Sequence, residues 1–368
     1  MTTIRLDLSP MLINRTAAYT LCVDIERLVR DALPANSAIE YQFFGHVTQD
    51  IPDQPTARRY VAGFLDQLGS ASYLNVAPKL FGETGGGEGT RTFYVDPLYV
   101  LLGTLKPQDT VMLLDLSPLT HPHWHNPPVS RAYQAAIEHI IDVRPRLAAI
   151  SQNTIDTFLA NYGGYPHPIH TVPLYPPEAI RTAAGDPARA LQSPWPYFLF
   201  VGSLEVRKNL QGAITAFRRS GLAAEGYKLL IVGGHGRGGE EIMAMAGATA
   251  GIVMAGYLTT EELVSAFIGA TGFVYPSYLE GFGVPLLEAM MCGIPSVASR
   301  TGACPEVGGP DVAYVDPDDH AGLAAEIRRI AKLTQAERKT IGARLRHRAE
   351  TVFSFQAFST AILDLVKA

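Results

Sequence analysis

The stretch YPSYLEGFGVPLLEAMMCGIPSVAS, residues 275–299, connects the end of one predicted strand through a glycine-containing loop to a helix and a second strand. Pro285 suits the first turn of that helix, because the backbone N–H that proline lacks would have no partner there. A strand, a helix and a further strand in this order predict parallel strands, the building unit of an α/β fold.

Two carboxylates, Glu280 and Glu288, flank the turn in this stretch. Gly281 and Gly283 have no Cβ atoms, so that backbone N–H groups of the loop could approach a ligand closely. Each carboxylate can accept two hydrogen bonds from hydroxyl groups, which a sugar and a ribose present. The same two acids could instead cap or charge a helix end, and the stretch alone does not decide between these interpretations.

The alternation of short apolar runs with helical periods extends through the second half of the chain. It predicts a doubly wound domain with strands 197–202, 228–233, 252–255, 272–275 and 295–298, and helices 209–220, 240–246, 260–268 and 285–292, followed by helical segments 323–332, 335–351 and 355–366.

The first half shows the same pattern less clearly. It predicts strands 4–8, 40–44, 110–114 and 148–151, and helices 19–33, 56–68, 130–144 and 155–162. The segment 177–196 loses periodicity and is rich in proline, so it is interpreted as a linker between domains 1–176 and 197–354. The sequence GETGGGEGT, residues 82–90, is typical of a surface loop, either a tolerated insertion or a lid over an acceptor.

Composition restricts the class of protein. The chain has 368 residues, a net charge of −5 and 47% hydrophobic residues, which indicates a folded globular protein without the basic surface expected for binding nucleic acid. Its three cysteines are widely spaced and form neither a disulfide framework nor a zinc pattern, which favours a reducing, cytoplasmic location. No run of eighteen apolar residues or export signal is recognised.

A basic pair lies near the first strand of the second domain. That strand ends at Gly202, Ser203 follows it, and Arg207 and Lys208 lie just before the helix that begins near Asn209. Ligands bind at this carboxyl edge in open α/β sheets, and a helix N-terminus with an arginine and a lysine suits a diphosphate. A solvated pair of bases is the alternative.

Five motifs taken together resemble the donor-binding half of retaining GT-B nucleotide-sugar glycosyltransferases of family four, the group 1 glycosyltransferases that include bacterial mannosyltransferases. They are GSLEVRKN at 202–209, GYLTTEEL at 256–263, the stretch quoted first, CPEVGGPDVAYVDPDD at 304–319 and FSFQAF at 353–358. The resemblance implies two Rossmann-like domains facing across a cleft, an acceptor domain followed by a donor domain, and a last helix, about 355–368, that packs back onto the first domain.

The resemblance also implies residue roles. Glu280 would contact hydroxyls of the donor hexose, Glu288 would hold the ribose, and Arg207 and Lys208 would bind the donor pyrophosphate and stabilise the leaving nucleoside diphosphate. Backbone around Gly202 and Ser203 and along Gly281, Phe282, Gly283 and Val284 would complete the donor site. The cations would take the part of a divalent metal, so neither a metal nor a cofactor is expected.

The first half departs from the family's pattern. Members often carry a glycine-rich loop after the first strand, but this chain reads LSPMLINRTAAYT at 8–20. Members also often place a histidine just before an aspartate that follows a strand of the first domain. Here Leu114 occupies that place before Asp115, which is assigned a site role, and His121 is the nearest substitute.

The implied reaction transfers a hexose with retention of anomeric configuration. The preferred donor is GDP-mannose, with UDP- or dTDP-sugars as alternatives, and the acceptor is a saccharide or lipid-linked saccharide of polysaccharide or glycan assembly. A catalytically inactive relative that binds a nucleotide sugar is a second hypothesis. The segment 56–65 carries two arginines beside apolar positions, which could dock on the inner face of a membrane or form a solvated helix face.

Two further patterns suggest other chemistry. His121, His123 and His125 alternate like metal ligands, but the neighbouring prolines argue against a strand that would align them. The segment GHGRGG, 234–239, satisfies the dinucleotide pattern G-x-G-x-x-G, but no acid stands where the next strand should supply a ribose ligand. A metal site and a dehydrogenase are therefore not preferred.

Overall fold

A computed structural model describes residues 3–13, 17–34, 37–69, 89–234, 236 and 238–367 of the chain. The chain divides into two compact units. The first unit contains Met1–Pro173 and Gln356–Ala368, and the second contains Leu174–Phe355.

In the first unit, the described strands form one sheet in the order β3-β2-β1-β4-β5-β6-β7. All neighbours are parallel except β2 and β3, which form an antiparallel pair at one edge. The strands are β1 (Thr3–Asp7), β2 (Ala38–Phe43), β3 (His46–Thr48), β4 (Thr90–Tyr94), β5 (Thr110–Leu113), β6 (Arg146–Ala149) and β7 (Ile169–Thr171).

Helices connect these strands, as parallel pairs require. They are α1 (Pro10–Ile13), α2 (Ala17–Ala32), α3 (Gln54–Gly69), α4 (Ser117–Thr120), α5 (Pro127–Val143) and α6 (Gln152–Tyr162), with 3-10 helices at Pro97–Leu102 and Pro122–Trp124. The sheet is buried: every residue of β5 is buried, as expected for a strand covered on both faces.

The second unit contains a parallel sheet whose described strands follow the order β10-β9-β8-β11-β12-β13. They are β8 (Tyr197–Val201), β9 (Lys228–Val232), β10 (Ile252–Gly256), β11 (Gly272–Tyr275), β12 (Ser296–Ser299) and β13 (Ala313–Val315). From β8 the chain winds to one side through β9 and β10, and then returns to form β11 on the other side. The point where the winding reverses is where such sheets bind ligands.

The helices of the second unit cover both faces of this sheet. They are α7 (Glu178–Ala183), α8 (Leu210–Ser220), α9 (Gly239–Gly247), α10 (Thr260–Gly269), α11 (Val284–Met291), α12 (Cys304–Gly308), α13 (His320–Ala331) and α14 (Gln335–Val352). Apolar side chains of β8, β9, α8 and α13 form a continuous core that includes Phe198, Phe200, Phe217, Leu229 and Ile327. Segment 177–196, interpreted above as a linker, groups with this unit and contains α7 and a 3-10 helix at Pro187–Arg189.

The last helix, α15 (Phe355–Lys367), belongs to the first unit from Gln356 onwards. It is amphipathic, and the apolar side chains of Phe358, Ile362, Leu365 and Val366 are buried.

The predicted α/β class is confirmed in both units. The structure also contains four short strands that the sequence did not predict. These are β3, β4, β7 and β13. The omission of β4 matters most, because β4 pairs with both β1 and β5 in the interior of the sheet. Its sequence, TRTFY, is half polar and has no apolar run, which hides a buried strand from pattern analysis. The loop at 82–90 lies, except for Gly89 and Thr90, outside the described residues.

Within the described residues, no helix combines the length and the apolar character that crossing a bilayer requires.

Candidate functional site

The basic pair lies at the carboxyl end of β8, in a 3-10 helix, Val206–Lys208, that leads into α8. Glu280 lies in the loop after β11, the neighbour of β8 across the reversal of winding. The sequence prediction placed these side chains at one sheet edge, and the structure brings them into contact.

Lys208 and Glu280 form a close ion pair. The Lys208 Nζ lies 2.7 Å from Oε1 and 2.9 Å from Oε2 of Glu280, and its third hydrogen bond, 3.3 Å, reaches the Tyr275 hydroxyl. Both charged side chains are buried, with 9% and 7% of their surface exposed. A buried pair of this kind is stable only because each charge meets the other together with further hydrogen bonds.

Arg207 contacts the same carboxylate from a second direction. Its Nη1 lies 3.3 Å from Glu280 Oε2 and 3.4 Å from the Leu279 carbonyl, while its Nε faces Glu205 at 3.3 Å. Burial by itself would raise the pKa of Glu280, but the charges of Lys208 and Arg207 outweigh it and lower that pKa to about 2. Glu280 is therefore ionised at neutral pH, and it occupies both cations.

Asn209 connects the loops that carry these residues. Its Oδ1 caps α8 by accepting from Gly212 N, and its Nδ2 donates to the carbonyls of Pro276 (3.1 Å) and Pro317 (2.8 Å). Its backbone is left-handed, with φ of 51°, a conformation that asparagine tolerates better than most residues. The sequence predicts a helix start at Asn209, and an asparagine directly before an amphipathic helix is also a capping signal.

The loop between Glu280 and α11 turns at Gly283, whose φ of 99° favours glycine. Among the described residues, the N–H groups of Phe282, Gly283 and Val284 find no protein acceptor, as expected at a helix N-terminus. The Phe282 ring itself packs edge-on against Phe353, with centroids 5.5 Å apart. Phe282 can therefore face a ligand only with its backbone.

Glu288 lies on α11 and is 8% exposed. Within the described part of the chain, burial alone shifts its pKa, with no contribution from a hydrogen bond or a neighbouring charge. Burial raises its pKa to about 8, so that the group is mainly neutral at pH 7. The two glutamates thus differ in their surroundings: Glu280 contacts two cations, whereas Glu288 has no charged partner among the described residues.

Ser277 also lies in the loop after β11. Its hydroxyl is buried and makes no hydrogen bond of ordinary geometry among the described residues, yet it is close enough to Glu280 to help lower that carboxyl's pKa. It is the kind of group that could take over a hydrogen bond if Glu280 moved, and the sequence offered no signal for it.

Gly202 and Ser203 follow β8 and lie beside the basic pair. A Cβ on Gly202 would touch the aliphatic stem of Lys208 at 3.6 Å, and the Gly202 carbonyl lies so close to Gly233 that a Cβ there would collide with it at 1.9 Å. The ends of β8 and β9 therefore approach within backbone contact.

Two of the described glycines of GHGRGG lie close to the segment that carries Arg207. A Cβ on Gly236 would meet the Glu205 side chain at 2.6 Å, and one on Gly238 would meet Val206 at 3.2 Å, while His235 and Arg237 lie outside the described residues. Packing against the segment that carries Arg207 accounts for these glycines without a dinucleotide.

In the first unit, Asp115 follows β5 and is partly buried. It accepts hydrogen bonds from Ser117 N (2.7 Å) and Ser117 Oγ (3.0 Å), and Ser117 Oγ lies 2.8 Å from Nε2 of His125. His121 has other contacts: its Nδ1 meets the Thr120 hydroxyl at 2.9 Å, and its ring stacks on Trp124. The histidine connected to Asp115 is therefore His125 and not His121.

The three alternating histidines do not act as a set. His121 stacks on Trp124 and His125 meets Ser117, while His123 is exposed. Within the described residues, no group of three His, Cys, Asp or Glu side chains could hold a metal ion.

Comparison with known proteins finds similarity to one family over part of the second unit. Residues 187–348 match the family model described as glycosyl transferases group 1. O-antigen chain mannosyltransferase B of Escherichia coli is 38% identical over 136 residues, 36% of this chain and 35% of the relative. MMP alpha-(1→4)-mannosyltransferase of Mycolicibacterium hassiacum is 28% identical over 242 residues, 64% of this chain and 57% of the relative. The chain thus spans between about a third and just over half of the length of these curated relatives.

Solved structures superpose on this chain at low sequence identity. Sucrose-phosphate synthase from Thermosynechococcus elongatus superposes with a TM-score of 0.70 at 17% identity, covering 100% of this chain and 98% of that one. Staphylococcus aureus TarM, in complex with fondaparinux, α-GlcNAc-glycerol and UDP, superposes with a TM-score of 0.60 at 13% identity, covering 76% of this chain and 56% of that one. At these identities the likeness establishes the fold. The chain has the GT-B fold, and its residues 187–348 are similar to the group 1 glycosyltransferases.

Proposed function

We propose that this protein is a glycosyltransferase that moves a hexose, most simply mannose, from a nucleotide sugar to a saccharide acceptor in glycan biosynthesis. The observation that carries the proposal is the contact of Arg207 and Lys208 with Glu280 at the reversal of the second sheet, within the segment that matches the family. Two fixed cations beside a helix N-terminus suit a diphosphate, and a carboxylate beside them suits sugar hydroxyls.

The cations would act on the leaving group. When the bond between the anomeric carbon and the diphosphate oxygen breaks, negative charge grows on that oxygen, and Arg207 and Lys208 are preorganised to stabilise it. The diphosphate would compete with Glu280 for both cations. Glu280, once released from them in part, would accept hydrogen bonds from hexose hydroxyls.

The second glutamate suits the ribose. Burial makes the ionised form of this carboxyl group costly, and hydrogen bonds from two ribose hydroxyls would stabilise it. Because hydroxyl donors favour the ionised form, nucleotide binding would release the proton that Glu288 holds near neutral pH. The N–H groups of Phe282, Gly283 and Val284 would bind phosphate or sugar oxygens of the same ligand, and the backbone near Gly202 and Ser203 would adjoin the phosphates.

The transfer would proceed with retention. The acceptor oxygen forms a bond to the anomeric carbon on the face from which the diphosphate departs, and the acceptor proton passes to the diphosphate oxygen. Unit 2 would hold the donor and unit 1 the acceptor, with Asp115 accepting a hydrogen bond from a substrate hydroxyl. Since Arg207, Lys208 and a helix terminus supply positive charge at the diphosphate, the reaction would need no metal and no cofactor.

The names of the relatives support the choice of donor sugar. Two proteins with matching segments carry the name mannosyltransferase, which favours GDP-mannose over UDP- and dTDP-sugars. TarM, a structural neighbour, was solved with UDP, so a nucleoside diphosphate occupies this fold there. A saccharide or lipid-linked saccharide is the acceptor that fits an O-antigen chain relative.

Thermal unfolding with GDP, UDP, ADP and dTDP, each with and without EDTA, tests the proposal. A ligand at about a hundred times its dissociation constant adds roughly 2.7 kcal/mol to the free energy of unfolding. We expect the largest stabilisation from GDP, unchanged by EDTA, and multiple-turnover release of GDP from GDP-mannose with an acceptor. If none of the four nucleotides stabilises the protein, the proposed donor site is refuted. If a nucleotide binds but no turnover occurs, the protein is a catalytically inactive relative that binds a nucleotide sugar.

Docking on a membrane is a second, separable proposal. Arg58 and Arg59 on α3 are exposed and Leu65 is 52% exposed, whereas Phe64 packs against Phe44. Exposed cations beside an apolar side chain suit an anionic lipid surface, although a solvated helix face has the same composition. Cosedimentation with anionic vesicles, lost in the Arg58→Glu/Arg59→Glu variant, would support docking. Equal pelleting of both proteins would refute it.

A further inference from the structure

A hydrogen-bonded chain of three side chains begins at Asp115, at the carboxyl edge of the first sheet. Ser117 donates to both oxygens of Asp115, through its N–H at 2.7 Å and its Oγ at 3.0 Å. The same Oγ lies 2.8 Å from His125 Nε2. Ser117 has no exposed surface, so that water does not replace either contact.

The direction of these bonds fixes the histidine tautomer. A serine hydroxyl has one proton, and here that proton points to Asp115. Ser117 Oγ must therefore accept from His125, which requires that Nε2 carries a hydrogen. The three groups then form one relay of donors, His125 to Ser117 to Asp115, that sets the orientation of the carboxylate.

The backbone holds this arrangement in place. Ser117 is the first residue of α4, Pro118 follows it, and the 3-10 helix Pro122–Trp124 returns the chain so that His125 N donates to the Pro122 carbonyl at 3.1 Å. Prolines at 118 and 122 fix φ along this segment, which lowers the entropy that ordering the chain would cost.

We propose that His125 is a positioning residue for Asp115 and acts through Ser117. The inference rests on the proposed function, in which Asp115 accepts a hydrogen bond from a substrate hydroxyl. Each carboxylate oxygen of Asp115 accepts one hydrogen bond from Ser117. Because a carboxylate can accept about four hydrogen bonds, Asp115 can still accept one from a substrate hydroxyl. The relay fixes the orientation of the Asp115 carboxylate toward the substrate hydroxyl. A displacement of a positioning group by about 1 Å can lower the rate up to a hundredfold.

Four variants test the relay: Ser117→Ala, His125→Phe, their double mutant, and His125→Gln. Glutamine keeps an amide N–H that can donate to Ser117, while phenylalanine fills the space without a donor. We expect Ser117→Ala and His125→Phe each to lower kcat about tenfold or more, with KM for the donor changed less than twofold. The double mutant should be no worse than either single mutant, because both break one relay, and His125→Gln should recover most of kcat.

His123→Phe is the matched control, because His123 is exposed, lies two residues away and is outside the relay. It should leave kcat unchanged. Binding of GDP by calorimetry should be equal in all variants, since the donor residues lie in the other unit. If Ser117→Ala does not fold, as judged by thermal unfolding, the comparison of the two His125 variants still decides the question.

The outcomes separate the inference from the proposed function. If Asp115→Ala abolishes transfer but His125→Phe leaves kcat at the wild-type value, the relay is wrong and the role of Asp115 stands. If His125→Phe and His125→Gln are equally impaired, the histidine acts by a route other than donation to Ser117, which also overturns the inference. If Asp115→Ala itself transfers at the wild-type rate, the site role of Asp115 fails and the relay has no function to serve.

Discussion

Glu280 and Glu288 lie eight positions apart, and both are buried, yet their pKa values move in opposite directions. Lys208 and Arg207 lower the pKa of Glu280 to about 2, whereas burial without a charged partner raises that of Glu288 to about 8. Strongly shifted pKa values close together in a loop and the following helix are typical of functional sites. Because the two pKa values shift in opposite directions, substitutions of Glu280 and Glu288 should have different effects.

Replacing Glu280 by glutamine should tighten GDP binding while transfer collapses. The substitution removes the anion that competes with a diphosphate for Lys208 and Arg207, so we expect several-fold higher affinity. It also removes the negative charge and replaces one of the two oxygens that would accept from hexose hydroxyls with an NH2 donor. Calorimetry with GDP and a turnover assay measure the two effects. Glu205→Gln is the control, since Glu205 contacts Arg207 but not the lysine, and its effect should be smaller. Weaker GDP binding by Glu280→Gln would contradict competition.

Replacing Glu288 by glutamine should flatten the pH dependence of stability. In the unfolded chain a glutamate ionises near its ordinary pKa of 4.5, whereas the folded protein keeps the proton up to about 8. The wild type is therefore most stable, with respect to this group, below pH 4.5, and it loses a few kcal/mol of unfolding free energy as the pH rises to 8.

Urea unfolding at pH 5, 6.5 and 8 measures this loss. Glu288→Gln should be as stable as the wild type at pH 5 and more stable at pH 8, with Glu240→Gln, an exposed substitution on α9, as the control. A constant difference between wild type and Glu288→Gln across the three pH values would show that Glu288 ionises normally.

At the scale of elements, Asn209 joins the start of α8 to the segments that follow β11 and β13. One side chain caps a helix and donates to the carbonyls of Pro276 and Pro317. The basic pair immediately precedes it, so the position of both cations depends on this asparagine.

Asn209→Gly should therefore destabilise the protein and weaken GDP binding together. Glycine keeps the left-handed backbone but loses three hydrogen bonds, two of them to buried carbonyls, which we expect to cost roughly 2–4 kcal/mol of unfolding free energy. Asn209→Asp keeps the cap but sets a carboxylate oxygen against the two carbonyls in place of the donor, so it should be at least as destabilising as Asn209→Gly. Urea unfolding and GDP calorimetry check both variants, and normal GDP affinity in a destabilised Asn209→Gly protein would mean that Asn209 serves the fold alone.

The sequence predicted the elements of the second unit well because strands such as β8 and β9 are uniform apolar runs. It missed β13 because three residues form no recognisable period, and β4 because polar residues are buried there through tertiary pairing. The contact of Arg207 and Lys208 with Glu280 was predictable, since parallel strands end at one edge. The relay of Asp115, Ser117 and His125 was not, because a turn and not a period brings His125 back to Asp115.

At the scale of the whole molecule, the two units are built differently along the chain. The second is continuous, from Leu174 to Phe355, whereas the first is completed by Gln356–Ala368 after the second has been made. The helix α15 presents buried Phe358 and Ile362 within this returning segment. The stability of the first unit should therefore depend on residues that a truncation at the C-terminus would remove.

Ile362→Asp should damage the first unit and spare the second. A charged group at a fully buried position costs several kcal/mol, so the acceptor-side unit should unfold at lower temperature. The donor residues are elsewhere, and calorimetric GDP affinity should remain within about twofold of the wild type, while transfer is lost above the new transition. Thr360→Asp, on the exposed face of the same helix, is the matched control and should change neither property. Loss of GDP binding in Ile362→Asp at a temperature where the protein is otherwise folded would mean that α15 supports the donor unit, and the assignment of the two units would have to be reversed.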